Sequence, residues 1–357
     1  QVNARAAGGA GGVWSLYSPA ITIGNRIPSA NSQVGQWDTY VNADDINTVL
    51  NSGGNVGIGT NYQDNAKVRS GDLTIERGTQ FLQSLGGGSN ALYLQSGRDL
   101  IVQSGTTISS TSGKLNVRLA ADADEDGQGS LLLYGQIGMN SGPLAAGRVR
   151  AQVQEGDEPI TINTNGGQVN LTGAKDPALA GGLPVNDNAG VVISGTIINT
   201  QGADGRGDVF IKGAGGVAGS SVSQDATVAS QNGVTINGGT DITAGNVNIL
   251  GNSTSATGVS LSDTVISTDK GTIDIRGVSQ GGTVAPAMGQ PIGVDIGSGV
   301  VLNAGQGFVK ILGRGVREAV ANAASLPSTH GVRANDLTIT TSGDNAGARA
   351  EDAPGAG

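Results

Sequence analysis

The sequence predicts an all-β chain coiled as one parallel β-solenoid, and three observations predict it. Glycine is the commonest residue, 62 of 357, while aromatics make up 3% and charged residues 14%, a composition poor for helices and rich in turns. Val, Ile and Leu recur in short clusters with period-two alternation, the mark of strands with one buried and one wet face. These clusters come in units of about 20 residues and three strands, joined by connectors that alone vary in length, as in a coil whose rungs stack while loops leave its corners.

Along the chain, residues 1–62 read as an irregular N-terminal segment, a flap or a cover for one edge of the coil. Five of the ten aromatics fall here: Trp14, Tyr17, Trp37, Tyr40 and Tyr62. Within it "NADDINTVLNSGG" reads as a short helix, with Asp44 or Asp45 near its N-cap and Gly53 closing it. Residues 63–345 read as the solenoid. Its early part carries the code irregularly, in "GDLTIERG" from Gly71, "ALYLQSGRDLIVQSGTTI" from Ala91, "GKLNVRLAA" from Gly113, "GSLLLYGQIGMNSG" from Gly129 and "ITINTNGGQVNLTG" from Ile160.

The repeats are clearest later, in units opening at Gly190, Gly233, Gly258, Gly293 and Gly331. In "GVSLSDTVISTDKGTIDIRG" the strands fall at Val259/Leu261, at Val265 or Ile266, and at Ile273/Ile275, with glycine at the corners where the backbone turns sharply. Parallel rungs rise about 4.8 Å, so about a dozen would make a rod about 60 Å long. A second helix is expected over Arg317 to Pro327, and residues 346–357, without apolar periodicity, read as a flexible tail.

Charge and composition narrow the partners. A net charge of -9 and a pI of about 4.6 argue against nucleic acid and anionic lipid. The chain has no cysteine, hence no disulfide framework or thiolate metal site. No apolar run approaches the roughly 18 residues of a membrane span, so membrane insertion is not expected. Starting at Gln1 without a basic, apolar leader, the chain reads as a mature or excised segment.

In "WDTYVNADDINTVLNSGGNVGIGTN", "GDLTIERGTQF", "ALYLQSGRDLIV", "GKLNVRLAADADEDGQGS" and "LLLYGQIG", the chain resembles the filamentous haemagglutinin-like exoproteins of two-partner secretion, over roughly residues 37 to 345. The resemblance implies a right-handed parallel β-helix, export across a bacterial outer membrane by a partner pore, and an adhesive fibre that is surface-bound or released. Those exoproteins carry Asn-Pro motifs in a secretion domain, and this chain has no Asn-Pro dipeptide, so it matches a segment of the shaft.

Two stretches are candidate sites. Arg206-Gly207-Asp208 spells a tripeptide that many integrins read as an adhesion signal. Aligned on the unit from Gly258, however, Gly207 falls on the corner Gly271 and Asp208 on Thr272, which favours a turn. "DADEDGQGS" places Asp122, Asp124 and Asp126 at alternate positions before Gly127, the opening of a calcium loop in which carboxylates converge on a hard cation. The Glu that would close an EF-hand is replaced by Leu133, and the default reading of the run is an acidic solvated connector.

The chain is expected not to be an enzyme. A polysaccharide-processing β-helix needs acids and a base on one face of adjacent rungs, and Asp263, Asp274 and Asp295 do not recur at matching offsets. His330, the one histidine, reads as a loop residue. The expectation is a structural and adhesive segment of a secreted or surface bacterial fibre. It would need no cofactor beyond possible calcium, would self-associate end to end, and would engage a receptor or glycan on a host or neighbouring cell. The alternative is a β-helix polysaccharide-processing enzyme or a tail-spike-like glycan binder.

Overall fold

In the computed structural model the described residues are 11–25, 38–60, 71–124, 129–135, 158–174, 190–215, 232–254, 256–280, 292–316, 330–342 and 348–352. They form a parallel β-solenoid with three faces. Sheet A has ten strands, from Val13–Ser18 to Ala348–Asp352; sheet B has ten, from Asp38–Asn42 to His330–Ala334; sheet C has eight, from Gln80–Gln83 to Leu337–Thr341. Each turn runs through B, then C, then A, and every pairing between turns is parallel.

The unit from Gly258 shows why the chain coils. Val259 and Leu261 in sheet B, Ile266 in sheet C, and Ile273 and Ile275 in sheet A are all at most 1% exposed. Each sits in register with an aliphatic residue of the next turn, such as Val259 with Val294 and Ile273 with Val309. Like therefore stacks on like in one continuous apolar column, and no turn could bury its inner face alone.

Glycines set the approach of A to B in the later turns. Gly213, Gly251, Gly277 and Gly313 stand in register in sheet A, facing the glycines that open the units in sheet B. A Cβ on Gly313 would run into the carbonyl of Gly331, and one on Gly277 into that of Gly293. The recurrent unit-opening glycine is thus a contact between two backbones, beyond its part in the turn.

At the start, the strands Val13–Ser18, Ala20–Gly24, Asp38–Asn42 and Asn55–Thr60 extend sheets A and B. Between the last two lies the helix Ala43–Asn51, in the place a sheet C strand would occupy. Its N-cap is Asn42, whose side chain accepts from the Asp44 amide, so Asp44 and Asp45 lie in the first turn. Gly53 follows the C-cap Ser52 at φ +83. The helix buries Ala43, Ile46, Val49 and Leu50 against the first turns of the column.

Ten strands at about 4.8 Å span about 43 Å, shorter than the 60 Å expected from about a dozen rungs. Chain length went into connectors. The second expected helix, Arg317 to Pro327, lies outside the described residues, and His330 begins a strand paired with Ile292.

Candidate functional site

The connectors are unevenly distributed. Those from sheet A to sheet B include 61–72, 121–130, 173–190, 216–233, 280–291 and 316–329, whereas turns from B to C commonly take two to four residues, as at 238–239 or 104–106. The long exceptions are 25–37 within sheet B and 135–159 from B to C. Most of the long connectors therefore leave sheet A and re-enter sheet B at the same corner of the solenoid.

The corner from C to A is built by a recurring hydrogen bond. A Ser or Thr at the end of sheet C donates its hydroxyl to the carbonyl of a glycine three residues on: Ser110 to Gly113 at 2.8 Å, Thr164 to Gly167 at 2.6 Å, Thr268 to Gly271 at 3.0 Å. Thr200 makes the same bond to Gly207 at 2.6 Å, across six intervening residues instead of two. The extra chain is a hairpin in which Gln201 and Gly202 pair antiparallel with Arg206 and Gly205.

Gly207 is consequently a buried corner residue, and a Cβ there would meet the carbonyl of Gly167. Asp208 belongs to a second recurring device. Its Oδ1 accepts from the backbone and side-chain nitrogens of Asn246, both at 2.9 Å, and Asn246 Oδ1 in turn accepts from the Thr272 amide at 2.9 Å. Asn55 receives the amide of Ala91, and Asn116 that of Gln168, in the same way. Two members of the adhesion-like tripeptide are thus committed to holding turns together. Arg206, half-buried, faces a shallow cleft of about 520 Å³ between the hairpin and Asp269, Lys270 and Asn246 of later turns.

The acidic stretch divides. Asp122 is fully buried with φ +52, Asp124 is exposed, and Asp126 lies outside the described residues. Among the described residues no group of three or more His, Cys, Asp or Glu is placed to share a metal ion. No described helix is long and apolar enough to cross a membrane, which leaves membrane-spanning strands unaddressed.

Other charged groups are paired on the surface. Arg98 grips Asp72 through two bonds of 2.7 and 2.6 Å where A leads into B. Arg276 grips Asp274, and Arg333 grips Asp295; in both, the carboxylate hydrogen bond raises the guanidinium pKa further above its ordinary value. On sheet C, Asp241 stands in register between Ile197 and Val265, and desolvation raises its pKa.

The helix Ala43–Asn51 bears the feature that sequence reasoning missed. Asn47 and Asn51, one turn apart, face the outer edge of the first sheet C strand. Asn47 donates to Gln80 O at 3.0 Å and accepts from Leu82 N at 2.7 Å. Asn51 donates to Leu82 O at 3.0 Å and accepts from Ser84 N and Leu85 N at 2.8 and 2.9 Å. Two carboxamides thereby supply the donors and acceptors of an absent strand. The sequence shows only Asn at i and i+4 on one helical face, which does not by itself point to the strand they pair with.

No protein-family model matches the chain, and no curated protein matches it. What fold and corners define is a class, the parallel β-solenoid with one connector-rich ridge.

Proposed function

We propose that the protein is a structural and adhesive segment of a bacterial extracellular or cell-surface fibre of the filamentous haemagglutinin-like kind. The observation that carries this reading is the separation of roles: an uninterrupted aliphatic column through every described turn, and variable connectors collected on the A-to-B ridge. Such a rod keeps its length whatever the ridge displays. The ridge would meet a receptor or glycan on a host or neighbouring cell.

End-to-end association is part of the proposal. The terminal strands of sheets A and B at one end, and of all three sheets at the other, are sheet edges among the described residues, and edges recruit further strands. Negative-stain images over a concentration series test it. Fibres of the rod's width with a repeat set by one chain support the reading. Separate rods at every concentration, together with cleavage of an acidic polysaccharide, would instead support a processing enzyme.

A further inference from the structure

The outer face of sheet A differs from the rest of the molecule. Among the described residues every exposed aromatic lies on it: Tyr17 57%, Tyr93 43%, Phe210 37% and Phe308 51% exposed. The last three stand beside inward residues that are almost fully buried, Leu92 and Leu94 for Tyr93, Val209 and Ile211 for Phe210, Val309 for Phe308. These rings therefore point away from the column by strand alternation, with no part in the core.

The last three rings recur. Tyr93 registers with Arg118, then Asn170, then Phe210, a separation of three rungs. From Phe210 the register passes through Asn248 and Asp274 to Lys310, again three rungs, and Phe308 lies in the strand of Lys310. The interval is about 14 Å each time, with Phe308 displaced sideways by two residues, about 7 Å. Each ring has a cation beside it: Arg118 next to Tyr93, Lys212 two residues after Phe210, Lys310 two residues after Phe308. Arg118, Lys212 and Lys310 have no ion pair among the described residues, and from Val13 to Gly315 the strands of sheet A carry one carboxylate, Asp274, which Arg276 neutralises. On a chain of net charge -9, this is a basic, aromatic strip.

We infer that this strip binds a linear, sparsely acidic polysaccharide lying along the solenoid axis. Axial repetition of one ring and one cation calls for a ligand that is itself periodic and extended, which a folded protein surface is not. Sugar rings offer C–H faces that stack on Tyr and Phe, and the amides of Asn170 and Asn248 between the rings suit hydroxyl groups. The charge density also decides. Arg118, Lys212 and Lys310 stand two and three rungs apart, about 10 and 14 Å, and even with Lys114 and Arg314 on the same sheet this charge is dilute beside a duplex, which carries one about every 1.7 Å. A polymer with a carboxylate about every second or third sugar matches it, and a nucleic acid does not.

The inference rests on the adhesive half of the proposed function and not on fibre assembly. The probe is hyaluronan, linear with one carboxylate per disaccharide, titrated against separate rods at a concentration below any assembly, with dextran, dextran sulfate and poly-dT alongside. Expected are saturable binding of hyaluronan and weaker binding of dextran. Phe210→Ser with Phe308→Ser should lower affinity about tenfold or more, the scale of stacking contacts. Lys212→Gln with Lys310→Gln should lower affinity and flatten its salt dependence, whereas Arg333→Gln on sheet B should leave both unchanged. Unaltered melting midpoints certify the variants. Binding of poly-dT or dextran sulfate that exceeds hyaluronan binding and ignores the phenylalanines would overturn the inference as mere polyanion attraction, and so would failure of hyaluronan to bind. Fibres seen in images while hyaluronan fails would leave the structural reading standing alone.

Discussion

Asp208 and Gly207 hold adjacent turns through different physics, and substitution separates them. Gly207→Ala drives a methyl into the Gly167 carbonyl, a clash between two backbones that cannot relax without parting the rungs, with an expected loss of about 2–3 kcal/mol in denaturant unfolding. Asp208→Ala removes the acceptor of two Asn246 nitrogens at a half-buried site and should cost about 1 kcal/mol, while Asp208→Asn, which keeps an acceptor, should recover most of it. Arg206→Gln touches neither bond and should leave stability unchanged; loss of cell attachment in that variant alone would assign the tripeptide an adhesive role. Asp241 gives a pH-dependent counterpart. Its folded-state pKa is raised, so the folded chain holds a proton that the unfolded chain has released, and stability falls as pH rises through that window. Asp241→Asn should therefore melt slightly higher than the parent at neutral pH, the difference closing below the ordinary carboxylate range.

The helix Ala43–Asn51 shows what was legible at the scale of elements and what was not. Its existence, its closing glycine and the two aspartates near its N-cap follow from local pattern, while the cap itself is Asn42, chosen by the entering backbone among three residues that all cap well. The three-strand units were legible because aliphatic alternation is a local signal. The hydroxyl-to-glycine corner was equally present, as Thr164 to Gly167 and Thr268 to Gly271, but it acquires meaning only once the two residues are seen to bracket a turn. The role of Asn47 and Asn51 depends on a strand some 30 residues onward, which no local pattern announces. Replacing both by Ala should accelerate hydrogen exchange at Leu82, Ser84 and Leu85, whose amides those carboxamides now hold. A loss of about 2 kcal/mol is expected, with new concentration-dependent association through the bared strand. Unchanged exchange at these three amides would show that the helix covers the edge without pairing to it.

For the whole molecule, the resemblance in the early strands and the repeats in the later ones point to one architecture, and the described turns bear out the solenoid throughout. The described residues give ten turns where about a dozen rungs were expected, the A-to-B connectors taking up chain between them. The same distribution gives a global prediction. Deleting residues 219–228, between the strands that end at Gly215 and begin at Val234, should leave the melting midpoint within about 2 °C, because a connector between turns tolerates length change far better than a packed strand does. Removing Val259 to Leu261 instead should abolish cooperative unfolding, since it takes a strand from the middle of sheet B.

The Asn47 and Asn51 carboxamides also impose a direction. In sheet C they occupy the hydrogen-bonding sites that an incoming strand would require before Gln80, whereas beyond Leu337–Thr341 the described residues leave those sites open. Two copies meeting head to tail can thus join all three faces only if the helix withdraws; otherwise two faces join and the third keeps a helical seam at every junction. Were copies to stack in this way, a periodic notch on one side, once per chain, is the visible trace such a seam would leave.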